Sequence, residues 1–343
     1  MRKMWESKRG TLKASIQRFI YPLPTKLARK QIPDTAARLR EVREALEKHY
    51  FVGWRAKDAC IPQSYAWDLN NQLIGRIRLD RQRIVPWLEA NLPLENSSIL
   101  EIGCGTGSST VALAEQGARV TAVDLDADAI EVARCRCDVY HVSVDLRLAN
   151  AVDVLKSMTV GSYDLIILLG CLEHMTHVER IACLRMAWEL LPENGTLAIV
   201  ETPNRLWHFD SHTSLLPFFN WLPDDLAFEY SRFSNRKGFN DLYRDNTVQK
   251  REHFLRRGRG ASFHEFHVAI GSVADLNVHS LKEFQRPWSE LRRSKAERDY
   301  RRILQRHYPE LHGGWFEEYL DLAIKRYQRS QGWHGNSTSR AAK

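Results

Sequence analysis

This sequence predicts an α/β chain built on a doubly wound, mostly parallel sheet, and three observations carry that prediction. Short apolar segments of strand length recur at residues 98–102, 119–123, 142–146, 164–169 and 196–201. Stretches with helical spacing lie between them, among them STVALAEQ, DADAIEVARCR and HVERIACLRMAWELL. The first apolar segment runs straight into the glycine turn GCGTG. Alternating strands and helices imply right-handed crossovers with helices on both faces, and such a sheet binds ligands at its carboxyl edge, where that turn lies.

At 343 residues the chain exceeds a typical domain of about 150, so it is a core with substantial additions. With 43% hydrophobic and 27% charged residues it has enough apolar side chains for a core, which excludes wholesale disorder. No apolar stretch approaches the ~20 residues that span a bilayer, and Lys13, Gln17 and Arg18 interrupt any secretory h-region. The expectation is a cytoplasmic protein. Its six cysteines show no CxxC pair and read as reduced thiols rather than zinc ligands.

The formal charge is +8, and residues 1–30 hold nine Lys or Arg against one Glu. There Trp5, Leu12, Ile16, Phe19 and Ile20 recur at helical spacing with basic residues between them. Two readings stay open: peripheral contact with an anionic membrane at its inner face, or a helix packed on the body with a solvated basic face. Residues 35–49 form a helix on the spacing of Leu39, Val42 and Leu46, and a second helix covers about 72–91, kinked near Pro86. After the fifth strand, residues 205–262 break the rhythm with an aromatic, then basic, insertion. Ser262 and Glu265 make a capping box that opens another helix. Residues 288–328 read as one or two charged helices and 331–343 as a disordered tail. The division is therefore a basic helical extension (1–71), a nucleoside-binding core (72–204), an insertion or substrate lid (205–262), the end of the core with a basic helical region (263–330), and the tail.

Chemistry concentrates at three places. In residues 99–107, ILEIGCGTG, glycines let the backbone turn tightly and approach a ligand. The pattern is E-x-G-x-G-x-G, and the next helix begins Ser108-Ser109 rather than Lys-Ser/Thr, against a P-loop. Asp124 ends the second strand, where a carboxylate accepts from both hydroxyls of a ribose. A nucleoside cofactor follows.

These segments, with VTAVDLD, LRLANAVDVL, YDLIILLGCLEHM and LLPENGTLAIVETPN in order and at the usual spacing, make the chain resemble the class I S-adenosylmethionine-dependent methyltransferases over residues 72–204. Within that class the likeness is to the quinone-type and small-molecule O-methyltransferases. The resemblance implies a Rossmann-like methyltransferase fold with a seven-stranded sheet, helical N- and C-terminal additions, and S-adenosyl-L-methionine as cofactor. It implies that Glu101, Gly103, Cys104, Gly105 and Gly107 cradle the methionine moiety, that Asp124 holds the ribose, and that Leu125 and Leu169 line the site. Asn150, followed by Ala151, stands where the family commonly has Asp for the adenine amino group. Arg83 matches an Arg near the cofactor carboxylate, or is a solvated helix residue. Glu173-His174 matches the Glu-His pair that follows the fourth strand in quinone O-methyltransferases, but Gly170 replaces the acid three positions earlier, so no metal site is expected. This pair either takes part in chemistry or orders its loop.

The loop after the fifth strand leaves the same sheet edge and carries His208, Asp210 and His212. An imidazole there can take a hydroxyl proton near neutral pH, with Asp210 orienting it. Alternatively, Asp210 and Thr213 cap a turn and the histidines are structural. The apolar run Leu215–Leu222 either covers an acceptor or is ordinary packing. The absence of an Asn/Asp-Pro-Pro-aromatic motif and of Pro-Cys after the fourth strand disfavours modification of nucleic-acid bases. The sequence thus points to methyl transfer, at oxygen, to a small-molecule, glycan or lipid-linked acceptor. The alternatives are an N- or RNA-directed methyltransferase, or a cofactor-binding scaffold without activity.

Overall fold

The computed structural model describes residues 30–57, 62–236, 239–285 and 293–327. The expectations for the basic arm before Lys30 and for the tail after residue 327 lie outside these residues. Seven strands form one sheet: β1 Ser98–Ile102, β2 Arg119–Asp124, β3 Val144–Leu148, β4 Leu165–Leu169, β5 Thr196–Pro203, β6 Asn277–Ser280 and β7 Tyr319–Lys325. Their order is β3-β2-β1-β4-β5-β7-β6, parallel from β3 to β5, with β7 antiparallel to both β5 and β6. The expected doubly wound, mostly parallel seven-stranded architecture is observed.

The pleat explains the two-faced burial. On β1, Ile99 packs with Trp87, Leu88 and Leu113 on one side, whereas Leu100 and Ile102 pack with Leu155, Leu184 and Ala187 on the other. Both clusters are fully apolar, as a parallel sheet covered on both faces requires.

Helix α1 (Ala36–Ala45) starts at Thr35, whose hydroxyl accepts from Arg38 N. Helix α2 begins ten residues before the expected start and runs through residues 62–91, with π-type turns at Asn71–Gly75 and Asp80–Ile84. Pro86, which has no N–H to give, stands two residues past the end of the second of these turns. The expected boundary at 71/72 therefore falls inside a helix. Residues 30–50 also pack on the core rather than standing apart. Arg81 bonds Glu115 at 2.8 Å and Asp34 at 2.7 Å, and Tyr140 reaches the same Asp34 oxygen.

The core helices are α3 (Ser108–Ala114), α4 (Ala127–Val139), α5 (Ala151–Ser157) and α6 (His177–Leu190), the last opened by a Thr176–Glu179 capping box. β3 starts two residues later than expected because Val142 N donates back to Cys137 O, closing the end of α4, with His141 at φ +55°. The insertion leaves and returns at one point, with Arg205 N donating to Ala261 O and Ala261 N to Pro203 O. It folds around its own cluster of Leu216, Phe219, Phe228, Phe239, Tyr243 and Phe254. Helix α7 (Phe263–Ile270) has the expected Ser262–Glu265 capping box. Among the described residues from 293 on there is one helix, α8 (Lys295–His307), and then β7. The expectation of one or two helices there missed the last strand, whose residues 320–324 are all buried.

Candidate functional site

The carboxyl ends of β1, β2, β4 and β5 open on a cavity of about 1530 Å³, larger than the few hundred to ~1,000 Å³ of a typical single-ligand pocket. Gly103, Cys104, Gly105, Asp124, Leu125, Asn150, Ala151 and Leu169 line it, as do Arg83, Glu173, His174 and His212.

The loop after β1 is held by steric necessity and by its neighbours. A Cβ on Gly103 would sit 2.6 Å from Cys171 Cβ, and one on Gly107 would sit 2.9 Å from Ala133. Both glycines have positive φ, so larger residues are excluded twice over. Gly105 (φ +51°) has nothing within 4 Å of its missing side chain and faces the open cavity. Behind the loop, buried Arg136 donates to Thr106 O, Gln72 O and Leu73 O, tying the loop to α2.

Asp124 accepts from Gly105 N at 2.7 Å and from Asp126 N at 2.9 Å. It therefore shapes the glycine loop and still has lone pairs facing the cavity. Glu101 does not line the cavity. It is fully buried, accepts from Thr110 Oγ1 at 2.6 Å and from Ser109, and burial raises its carboxyl to about 6. Its work is to tie the start of α3 to β1, one layer behind the place expected for it. Gly107 likewise stands behind the cavity wall, at the N-cap of α3. Asn150 lines the cavity, but its Oδ1 accepts from Val152 N at 2.8 Å as the N-cap of α5. Arg83 lines the cavity and its Nη2 donates to Gln285 Oε1 at 3.2 Å.

The second half of the site is built by the loops after β4 and β5. Glu173 is buried and accepts from Thr202 Oγ1 at 3.4 Å. Its Oε1 lies 3.9 Å from the Nε2 atoms of both His174 and His212. The tautomers follow from the hydrogen bonds. His174 Nδ1 meets the Arg256 carbonyl at 2.9 Å and must donate. Thr213 Oγ1 gives its proton to Gly258 O at 2.7 Å, so at 2.9 Å it accepts from His212 Nδ1. Both Nε2 atoms are thus left as acceptors aimed at one point. Burial holds the His212 imidazole below its ordinary value of 6.5.

Two other expected residues are absent from this centre. His208 packs against Trp207 and Tyr300, with ring centroids 5.3 and 5.1 Å away, and does not reach the cavity. Asp210 spends its carboxylate on Thr213 N, Ser214 N and Ser214 Oγ, folding the turn that carries His212 rather than orienting an imidazole ring. Nor does the apolar run from Leu215 line the cavity. Leu216 and Phe219 fill the insertion's own core, while Phe218 and Trp221 stack on each other outside the cavity.

Ligand atoms of Glu173, His174 and His212 all lie within 4.8 Å of one another. One carboxylate and two imidazoles, each imidazole fixed through its other nitrogen, form a donor set suited to a divalent transition metal. The sequence expectation of no metal site considered only the loop after β4. The third donor comes from the other loop, and no spacing announces it.

Sequence reasoning also missed the pair beside these groups. Glu201 sits at φ +58°, where β5 bulges, its N donates to Asp321 Oδ1 at 2.8 Å, and Arg76 Nη2 reaches its Oε2 at 2.7 Å. Burial opposes ionisation of Glu201, yet the Arg76 guanidinium keeps its carboxyl below the ordinary range.

Residues 99–195 match the methyltransferase domain family. Two curated relatives are ubiquinone biosynthesis O-methyltransferases. That of Xanthomonas campestris pv. campestris strain B100 is 33% identical over 160 residues, 47% of this chain and 61% of that one. That of Xylella fastidiosa strain 9a5c is 34% identical over 132 residues, 38% and 50% respectively. The chain thus spans about three-fifths or less of the length of these relatives. Among solved structures, magnesium protoporphyrin IX methyltransferase from Synechocystis PCC 6803 with bound SAH is 21% identical, with coverage of 49% of this chain and 74% of that one and a TM-score of 0.35. The family match bears out the sequence reading of a class I S-adenosylmethionine-dependent methyltransferase core.

Proposed function

We propose that this chain transfers the methyl group of S-adenosylmethionine to a hydroxyl oxygen of a small-molecule, glycan or lipid-linked acceptor, with His212 as the base. One observation carries the reading: the glycine loop with Asp124, and the Nε2 atom of His212, open on the same cavity. The loop and Asp124 would hold the nucleoside and methionine parts at the sheet edge. An acceptor seated beside His212 would attack the methyl carbon in line with the departing sulfur, so alignment supplies much of the rate. The hydroxyl proton passes to His212 Nε2, whose Nδ1–H is already fixed by Thr213. Glu173, buried beside it, would stabilise the imidazolium that forms.

A second reading rests on the convergence of Glu173, His174 and His212. These three would hold a divalent ion, which when bound supplies Lewis-acid activation of the acceptor hydroxyl. Calorimetry with S-adenosylmethionine, followed by transfer of labelled methyl into cell extract with and without EDTA, tests both readings. Absence of cofactor binding rejects the first, and full activity after chelation rejects the second.

The basic arm belongs to the same proposal as a peripheral contact with anionic membrane, each basic side chain adding about 1 kcal/mol before screening. Among the described residues no helix is long and apolar enough to cross a membrane. Liposome sedimentation of the full chain against one lacking residues 1–30 tests the contact, and equal partitioning of the two rejects it.

A further inference from the structure

The cavity extends well beyond the glycine loop, and one face of α2 forms its outer wall. Trp67, Asn71, Gly75, Arg78 and Gln82 follow one another at spacings of four, four, three and four, and all five line the cavity. This is the spacing of a single helix face. Trp67 is 47% exposed, Arg78 and Gln82 are exposed, and no aromatic ring among the described residues stacks on Trp67. A Cβ at Gly75 would lie 2.7 Å from Asn71 Oδ1, so the glycine lets the Asn71 amide lie flat along the helix.

We propose that this face is the acceptor subsite and that it takes a sugar ring, stacked on Trp67 and hydrogen-bonded by Asn71, Arg78 and Gln82. The inference rests on the methyltransferase reading above and names its substrate class. The argument is chemical. A pyranose presents an apolar C–H face and a rim of hydroxyls. The stripe presents one large flat apolar surface, two amides that both donate and accept, and a guanidinium. Glu297 and Glu317 also line the cavity, Glu317 paired with Arg293 and Arg301, so the walls carry both signs and do not form the single-sign field that a polyanion needs. Nor does this helix face offer a long apolar slot for a polyprenyl tail, since beyond Trp67 the only apolar side chain it adds to the lining is Leu79. A hydroxyl presented toward His212 is the group to be methylated. The new C–O bond forms as the sulfonium C–S bond breaks, the hydroxyl proton goes to His212 Nε2, and S-adenosylhomocysteine leaves.

The test uses the full chain loaded with S-adenosylhomocysteine and saturation-transfer NMR with methyl glycosides of glucose, mannose, galactose, rhamnose and fucose, with catechol as the aromatic comparison. Transfer to the ring C–H protons of at least one glycoside is expected. Trp67→Ala should lose it, and Trp221→Ala, which alters an exposed Trp outside the cavity, should keep it. In parallel, CD3-labelled S-adenosylmethionine is incubated with cell extract, which is then partitioned into aqueous and organic phases and hydrolysed in acid. A deuterated O-methyl monosaccharide supports the proposal, from the aqueous phase for a free or nucleotide-linked sugar and from the organic phase for a lipid-linked one. For that product, Trp67→Ala should raise KM at least tenfold with little change in kcat. No glycoside signal, a signal unchanged by Trp67→Ala, or label in an aromatic ether overturns the sugar subsite and leaves the methyltransferase reading standing. Failure to bind S-adenosylhomocysteine overturns both.

Discussion

Thr213 Oγ1 lies 2.9 Å from His212 Nδ1 and 2.7 Å from the carbonyl oxygen of Gly258. A hydroxyl has one proton, and the carbonyl can only accept it, so the imidazole must donate to Thr213 and present a bare Nε2 to the cavity. Gly258 makes this possible. At φ +115°, a Cβ there would come 2.5 Å from Thr213 Oγ1. The end of the insertion thus sets the tautomer of a histidine near its start.

Thr213→Val removes the acceptor for the Nδ1 proton while keeping the side-chain volume. It should lower kcat about 10-fold or more without changing calorimetric affinity for S-adenosylhomocysteine, because nothing at the glycine loop moves. His212→Ala should cost ~10²- to 10⁴-fold in kcat, the usual range for a lost general base. His208→Ala, outside the cavity lining, should lose stability by removing the ring packed on Trp207 and Tyr300 and leave the turnover of folded protein near wild type. Near-wild-type kcat in His212→Ala would move the base to His174.

The pH dependence of kcat follows from the same imidazole. Burial lowers the His212 pKa below its ordinary 6.5, and the base works only when neutral. Activity should therefore rise with pH through a midpoint below 6.5 and stay flat from about 7 to 8. A pH–rate profile between 5 and 9 checks this, and a midpoint above 7 points to a different group.

Much of this site was legible in the sequence, for a physical reason. The glycine loop and Asp124 are local: consecutive residues at one strand end carry both the conformation and the ligand contacts. Glu173 and His174 were legible for the same reason. What stayed hidden depends on contacts between distant segments. Glu101 matches the family's cofactor position, yet Ser109 and Thr110, in the first turn of α3, take its carboxylate. His208, Asp210 and His212 looked equivalent in sequence, and only the direction of each side chain separates them. β7 was hidden because charged neighbours on both sides make its apolar run resemble part of an amphipathic helix, and Tyr319 and Asp321 were missed with it.

Asp124→Ala should weaken S-adenosylmethionine binding by about 1–3 kcal/mol, some 5- to 150-fold, from lost hydrogen bonds to a buried partner. The loss has a second source here, since Gly105 N and Asp126 N both give up their acceptor. Asp124→Asn retains one carbonyl oxygen for these donors and should lose less than the Ala variant. Equal affinities for wild type and Asp124→Ala by calorimetry would remove Asp124 from the cofactor site.

Asp80 offers a test of the buried charges beneath the cavity. It is 3% exposed on α2, and its Oδ2 has no hydrogen-bond partner among the described residues. Burial lifts its pKa to about 8, against the pull of Arg76, whose guanidinium is committed to Glu201 at 2.7 Å. The ordinary value for Asp is near 3.8. The native chain therefore keeps a proton that the unfolded chain releases, so raising the pH between about 4 and about 8 favours unfolding. The contribution is full below about 4 and is lost progressively up to about 8. Asp80→Asn supplies a neutral side chain of the same shape and has no proton to lose. Thermal melts should show the two proteins close together at pH 5 and the variant higher by a few degrees at pH 8. If wild type instead melts higher than Asp80→Asn at pH 8, Asp80 is ionised and shares Arg76 with Glu201, and the buried cluster is a charged triad rather than an ion pair beside a neutral acid.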